Sequence, residues 1–271
     1  MSIRVSLLFI LTTLQIVQSK AQWIQANGPY GGNITCFATK GTSIYAGTLD
    51  GGVYLSTDNG NSWVPKYNGL KNVLISCMAI SEPNIYIGSK NNGIIISKDN
   101  GNNWINISNG LPDLQVAAIL VSGTIIFAGT RNGLYISKNN GDDWTKSQTG
   151  IKAIDFNTFI TLGNNIFVGT ENGVYLSSNN GQSWIPKKNG LDGEFVISLK
   201  SSGSEIYALT NSSGVYISKD NGDNWIKFPN NLEHTFFYTF IILENNIFVG
   251  TDKGIFFSTK NGSTWDLISD N

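Results

Sequence analysis

The sequence predicts an all-β protein, a β-propeller of six four-stranded blades, and three observations carry that prediction. The stretch Ser97-Lys98-Asp99-Asn100-Gly101-Asn102-Asn103-Trp104 recurs six times, ending at Trp63, Trp104, Trp144, Trp184, Trp225 and Trp265. The intervals are 41, 40, 40, 41 and 40 residues, and Trp23 lies 40 residues before Trp63, so all seven tryptophans share one register. Each period also holds four short β-branched or aromatic runs bounded by Gly, Asn and Asp, with no helical periodicity anywhere. The terminal units look like the rest, whereas a solenoid needs distinct polar caps at its ends. Four antiparallel strands in ~40 residues, repeated radially, are propeller blades, and closure of the ring protects their edges. The alternative is a seven-bladed or incompletely closed propeller.

In chain order, residues 1–21 read as a secretory signal peptide. Arg4 supplies the positive start, Val5 to Val17 is a largely apolar run, and Ser19-Lys20-Ala21 places small residues before a cleavage site at Gln22. The run is too short to span a bilayer comfortably and is broken by Thr12, Thr13 and Gln15. Residues 22–271 then form a single propeller domain, expected in the periplasm or secreted, with no stable membrane insertion. Its opening segment Gln22-Trp23-Ile24-Gln25 matches a fourth strand. It either adds an outer strand to the last blade, displaces the strand at Trp265, or is the remnant of a lost blade. Six blades, with both terminal segments near the last one, are expected.

The second unit shows the strands well. Val73 to Ile80 suits a central strand, Ile85-Tyr86-Ile87-Gly88 a second, and Ile94-Ile95-Ile96-Ser97 a third. Asn100-Gly101 marks a tight turn, and Trp104-Ile105-Asn106-Ile107 begins a fourth. All four recur in the other units with one-residue length changes.

Composition narrows the partners. The chain has 18 Lys+Arg against 19 Asp+Glu, a net charge of -1, and loss of Arg4 and Lys20 with the leader brings it to -3. That is no electrostatic footprint for nucleic acid or anionic membrane. A domain of this size buries enough surface to fold without staples. Cys36 and Cys77 each stand 27 residues before the tryptophan of their own unit, so they occupy equivalent positions on neighbouring blades. A disulfide is permitted outside the cytoplasm but needs Cα atoms within about 7 Å; two buried free thiols are the expectation.

The recurring stretch explains itself as turn chemistry. Its glycine takes φ > 0, its Asp or Asn accepts bonds from turn N–H groups, and its tryptophan buries a ring whose N–H needs an acceptor. A calcium loop needs six to eight oxygens, usually with several carboxylates; each loop here offers one, so no metal and no cofactor is expected. The pattern Ser-x-Asp-x-Gly-x-x-Trp resembles the Asp-box, or BNR repeat. It matches fully at Ser56-Asp58-Gly60-Trp63, Ser97-Asp99-Gly101-Trp104 and Ser218-Asp220-Gly222-Trp225. Asn139 and Asn179 replace the aspartate in boxes three and four, and Lys260 in box six. The resemblance implies that the box lies between third and fourth strands, opposite the ligand face.

On that implication the ligand face is built from fourth-to-first and second-to-third connections, where the repeats differ most. The candidate ligand-binding residues there are Tyr30, Asp50, Tyr67, Arg131, Glu171, Glu194, His234 and Asp252. Relatives of Asp-box proteins include sialidases, whose three clamping arginines act through bidentate geometry that lysine does not reproduce. After Arg4 the chain has only Arg131, so sialidase chemistry is excluded. Other glycosidases need two carboxylates about 5–10 Å apart across a cleft, and the connections are too short to wall one. The expected function is therefore a secreted, non-catalytic scaffold that binds protein or glycan, as a monomer. The resemblance to sortilin-like and photosystem II assembly factor-like propellers points the same way. The alternative is a glycoside hydrolase-like enzyme using carboxylates on that face.

Overall fold

The computed structural model describes residues 28–29, 33–50, 52–229, 232, 235–259 and 264–269. The leader, the Trp23 segment, Tyr30, His234 and Lys260 lie outside the described residues. Six four-stranded antiparallel sheets follow one another, each with its strands in chain order, which makes a six-bladed propeller. Blade one comprises β1 (Ile34–Lys40), β2 (Ser43–Thr48), β3 (Val53–Ser56) and β4 (Val64–Pro65). Blades two to six span 75–106, 116–146, 156–186, 196–227 and 237–269.

Each blade is a meander, so its first and third turns fall at one end and its second turn and exit loop at the other. The second strands of blades one to five are buried on both faces, which is why they read as continuous apolar runs such as Ile206 to Leu209. The first strands stand side by side from one blade to the next, blade one to blade six; the first strands of blades six and one have no comparable contact. Among the described residues the core is thus five junction clusters. One holds Phe127 of blade three with Phe156, Val168 and Trp184 of blade four, and another holds Tyr207 of blade five with Phe237, Val249 and Trp265 of blade six.

The tryptophans precede the fourth strands, which in blades one to five are only two residues long. In blades two to six the indole N–H reaches back to the preceding blade. Trp104 donates to the Lys66 carbonyl at 2.9 Å, Trp144 to Ile107 at 3.1 Å and Trp225 to Lys187 at 2.8 Å. Trp184 donates to Ser147 Oγ at 3.3 Å, and Trp265 to the Pro229 carbonyl at 3.1 Å. The ring is therefore mortar between blades, not part of a blade's own sheet.

In the box turn the serine is the pivot. Ser97 Oγ donates to Asp99 Oδ1 at 2.9 Å and accepts the Gly101 N–H at 2.8 Å, while Asp99 Oδ1 also accepts the Asn103 N–H at 2.8 Å. Asn139 does the same for Asp143 N–H at 3.0 Å and Asn179 for Ser183 N–H at 3.0 Å. Asn100 and Gly101 both sit at positive φ, 59° and 85°, which accounts for the Asn-Gly pair of the turn.

Asp58, Asp99 and Asp220 are held below the ordinary carboxylate range in these turns, and that gives the fold an acid dependence. Hydrogen bonds from the Ser62 hydroxyl, the Ser62 N–H and the Ser56 hydroxyl hold Asp58 at about 2, below its ordinary 3.8. The Asn103 side chain and N–H lower Asp99 likewise, and those of Asn224 lower Asp220. Carboxylates depressed in the folded state stabilise it fully above the ordinary carboxylate range, and that contribution is lost as pH falls from about 4 towards 2. The triple variant Asp58→Asn, Asp99→Asn, Asp220→Asn is expected to melt like the parent at pH 7 and to lose less stability between pH 4 and 2. Melting curves across that window check it; an unchanged acid slope refutes it.

Cys36 and Cys77 are free thiols, pushed up to about 11 and about 12, chiefly by burial. A Cβ on Gly47 would come within 2.6 Å of Cys36 Sγ, and one on Gly88 within 2.5 Å of Cys77 Sγ, so each glycine makes room for a thiol on the adjoining strand.

Candidate functional site

The end of the propeller opposite the boxes is organised by one repeated bond. The residue after each second strand donates its N–H to the carbonyl just before the first strand. The pairs are Leu49 to Asn33, Lys90 to Leu74, Arg131 to Gln115, Asn211 to Phe195 and Asp252 to Phe236, at 2.8–3.3 Å. This bond carries the side chains of the second-to-third loops to the inner rim. Blade four departs from it: the Glu171 carboxylate accepts the Ile154 N–H at 2.8 Å and the Asp155 N–H at 2.9 Å.

A bulge near the start of each first strand adds a second device, since the extra residue has no partner in the ladder. The extra residues include Ser76, Ala117 and Asn157. Ser76 Oγ–H donates to the Val116 carbonyl and Asn157 Nδ2 to the Val196 carbonyl, stitching blade two to blade three and blade four to blade five. The three residues line a cavity of about 380 Å³ among blades two to five, together with Lys90, Gln115, Arg131, Asp155, Phe156 and Phe195.

Two cations, Lys90 and Arg131, face solvent at this cavity, and among the described residues Asp155 is the one acid that lines it. Phe156 is buried within the junction to blade three and offers no free face. The arrangement therefore supplies two positive charges, the amides of Gln115 and Asn157 and the Asp155 carboxylate. It suits the binding of an anionic group.

Of the residues singled out in the sequence, Arg131 lines this cavity. Glu171 is occupied as described. Glu194 accepts from the Ser213 hydroxyl at 2.8 Å and the Tyr216 hydroxyl at 3.1 Å. Burial, and then the neighbouring Glu194 charge, push the Tyr216 phenol up to about 12, so it stays a donor. Asp252 Oδ1 accepts the Phe236 N–H at 2.9 Å. These three carboxylates cap backbone or hydroxyl donors on separate blades. Asp50 is exposed on the second-to-third loop of blade one, outside the cavity lining. Tyr67, 58% exposed, lines a separate groove with Lys66, Asn68 and Asn102. Lys90, Gln115 and Asp155 were not singled out. The signal for Lys90 was present, because it stands 41 residues before Arg131 at the equivalent position of the adjacent repeat.

Residues 115–236 match the model of a family described as the DUF6242 β-propeller domain. No curated protein matches the chain. Among solved structures, the BT4673 extracellular domain from B. thetaiotaomicron superposes with a TM-score of 0.73 at 18% identity, over 89% of this chain and 34% of that one. This chain thus spans about a third of that neighbour's length. YCF48 from Cyanidioschyzon merolae gives a TM-score of 0.69 at 14% identity, over 91% of this chain and 88% of its own. A GH74 xyloglucanase from Xanthomonas campestris gives 0.71 at 16% identity, over 87% of this chain and 45% of its own. At these identities the likeness is one of fold.

Proposed function

We propose that the chain is a non-catalytic, extracellular or periplasmic binding module whose cavity takes a protein segment bearing a carboxylate. The observation that carries this is the pairing of Lys90 and Arg131 on adjacent blades around a cavity lined, among the described residues, by a single acid, Asp155. Two exposed cations on a rigid rim match a carboxylate, and the arginine adds bidentate geometry. A peptide supplies such a carboxylate through its C-terminus or an acidic side chain, whereas a neutral glycan does not. YCF48 also has a structure with a bound D1 peptide, and that structure superposes on this chain with a TM-score of 0.68. The extracellular neighbour and the leader-like start of the sequence support the location.

The test is a peptide array probed with the full chain, with affinities of the hits then measured in solution. A charge-assisted hydrogen bond contributes about 1.5–3 kcal/mol, so the double variant Lys90→Gln, Arg131→Gln should bind at least about tenfold more weakly. Asp155→Asn should bind more tightly, and Tyr67→Ala should bind as the parent does. Hits whose affinity ignores Lys90 and Arg131 contradict the proposal. So does turnover of any polysaccharide that Asp155→Asn abolishes.

A further inference from the structure

The sequence holds thirteen Asn-Gly pairs, and both residues of eleven of them are described. Asparagine is a thermolabile residue, and a following glycine exposes it to attack from its own backbone, because no β-carbon shields the glycine nitrogen. The attack needs three freedoms. The asparagine side chain must be able to turn onto the backbone, the glycine nitrogen must be able to give up its proton, and a five-membered ring must have room to form. The fold withholds at least one of these from ten of the eleven pairs.

The box turns withhold the nitrogen. Gly60, Gly101, Gly141, Gly181 and Gly222 each donate their N–H to the serine Oγ of their own box at 2.8–2.9 Å. The second-to-third loops bury it. Gly93 and Gly173 are buried and donate to the Leu114 and Glu194 carbonyls at 3.0 and 2.9 Å. Gly133 is buried at the start of a strand, opposite Thr130.

The remaining pairs, Asn68-Gly69, Asn109-Gly110 and Asn189-Gly190, are exposed in the turns after the fourth strands of blades one, two and four. Two of them are tied to the next blade. Asn68 Nδ2 donates to Asn103 Oδ1 at 2.7 Å, and Asn189 Nδ2 to Asn224 Oδ1 at 2.6 Å. A Cβ on Gly69 or Gly190 would collide with the carbonyl of Trp104 or Trp225, so these turns also lie hard against backbone. In blade three the residue equivalent to Asn103 and Asn224 is Asp143, whose carboxylate accepts Asn139 Nδ2 at 2.9 Å. Asn109 is therefore left untied. Among the described residues neither its side chain nor the Gly110 N–H has a partner, and a Cβ on Gly110 would meet nothing within 4 Å.

We infer that Asn109 is a site of spontaneous deamidation in the folded protein. The Gly110 nitrogen bonds to the Asn109 Cγ, the Cγ–Nδ2 bond breaks, and ammonia leaves with the proton that the Gly110 nitrogen gives up. Water then opens the succinimide at either carbonyl, which leaves aspartate or isoaspartate at position 109. Either product places a new carboxylate in the connection between blades two and three, the segment that ends at the cavity-lining Gln115.

The test is ageing of the full chain in mildly alkaline buffer, once native and once in urea, followed by peptide mapping by mass spectrometry. Isoaspartate is read separately by enzymatic methylation. In the native chain, conversion at Asn109 is expected to run at least about tenfold faster than at the other ten described pairs, which react only through local opening. In urea the pairs are expected to converge. Gly110→Ala, which shields the nitrogen with a β-carbon, is expected to slow conversion at Asn109 several-fold in the folded chain. Native conversion at Asn109 no faster than in the box turns overturns the inference, as does a preference for Asn109 that persists in urea. Conversion undiminished in Gly110→Ala also overturns it, because the ring route then does not operate.

Discussion

Trp184→Ala is expected to lower the unfolding free energy by about 3–5 kcal/mol, the range for deleting a large buried aromatic. Trp184 is 2% exposed and fills the junction between blades three and four. Its ring meets Phe127 edge-on at 6.3 Å with an interplanar angle of 85°, and its N–H is held by Ser147 Oγ. Truncation leaves a cavity that two sheets line, so neither can relax into it without parting from its other neighbour. For a domain of about 250 residues this corresponds to a melting temperature roughly 6–20 °C lower. Trp184→Phe keeps most of the volume and removes the bond to Ser147, so about 1–2 kcal/mol is expected. Urea unfolding of the two variants separates packing from hydrogen bonding. Equal losses in both would show that the bond, not the ring, holds the junction.

The second large effect is expected at Gly150, and its size is read against Gly110. Both occupy the turn after a fourth strand, with φ of +90° and +80°. A side chain there carries about 1–2 kcal/mol of left-handed strain in either case. The surroundings differ. A Cβ on Gly150 would collide with the carbonyl oxygen of Trp184, which belongs to the next blade's backbone, while one on Gly110 would meet nothing within 4 Å. Gly150→Ala must therefore push blade four outwards, adding an overpacking cost of about 1–3 kcal/mol. The expected losses are about 3–5 kcal/mol for Gly150→Ala and about 1–2 kcal/mol for Gly110→Ala. Chemical denaturation of the pair tests this, and equal losses would remove the claim that backbone contact between blades limits this turn.

Much of this architecture was legible because a 40-residue period imposes itself on every unit. The strands, the Asn-Gly turns and the tryptophan register all follow from local pattern. The tryptophan's partner was not legible, since the indole reaches to an acceptor about 37 residues earlier on another blade, a contact that only the radial arrangement creates. The same holds for Phe248. It occupies the same repeat position as Tyr207, and only the neighbouring blade distinguishes a sealed ring from an exposed one.

The site was legible in part, and the partition has a physical cause. Arg131 stood out because arginine is so scarce. Glu171, Glu194 and Asp252 stood out because carboxylates on variable loops have the chemistry of a site. In the fold, their oxygens satisfy backbone N–H groups and hydroxyls at the inner rim. Loop composition does not tell a capping carboxylate from a free one, because the donors it caps come from segments about 16–22 residues away. Lys90 and Asp155 belong to the cavity through the position of their backbones, Lys90 through its N–H bond to Leu74 and Asp155 through the Glu171 cap.

The most direct measurement is hydrogen exchange on the full chain with and without a peptide ligand selected from the array. Binding at the inner rim predicts added protection in the segments around 74–76, 90, 115–117, 131 and 155–157, with the box turns unchanged. Protection confined to the box turns, such as 56–63 or 218–225, would contradict the assignment of the ligand face.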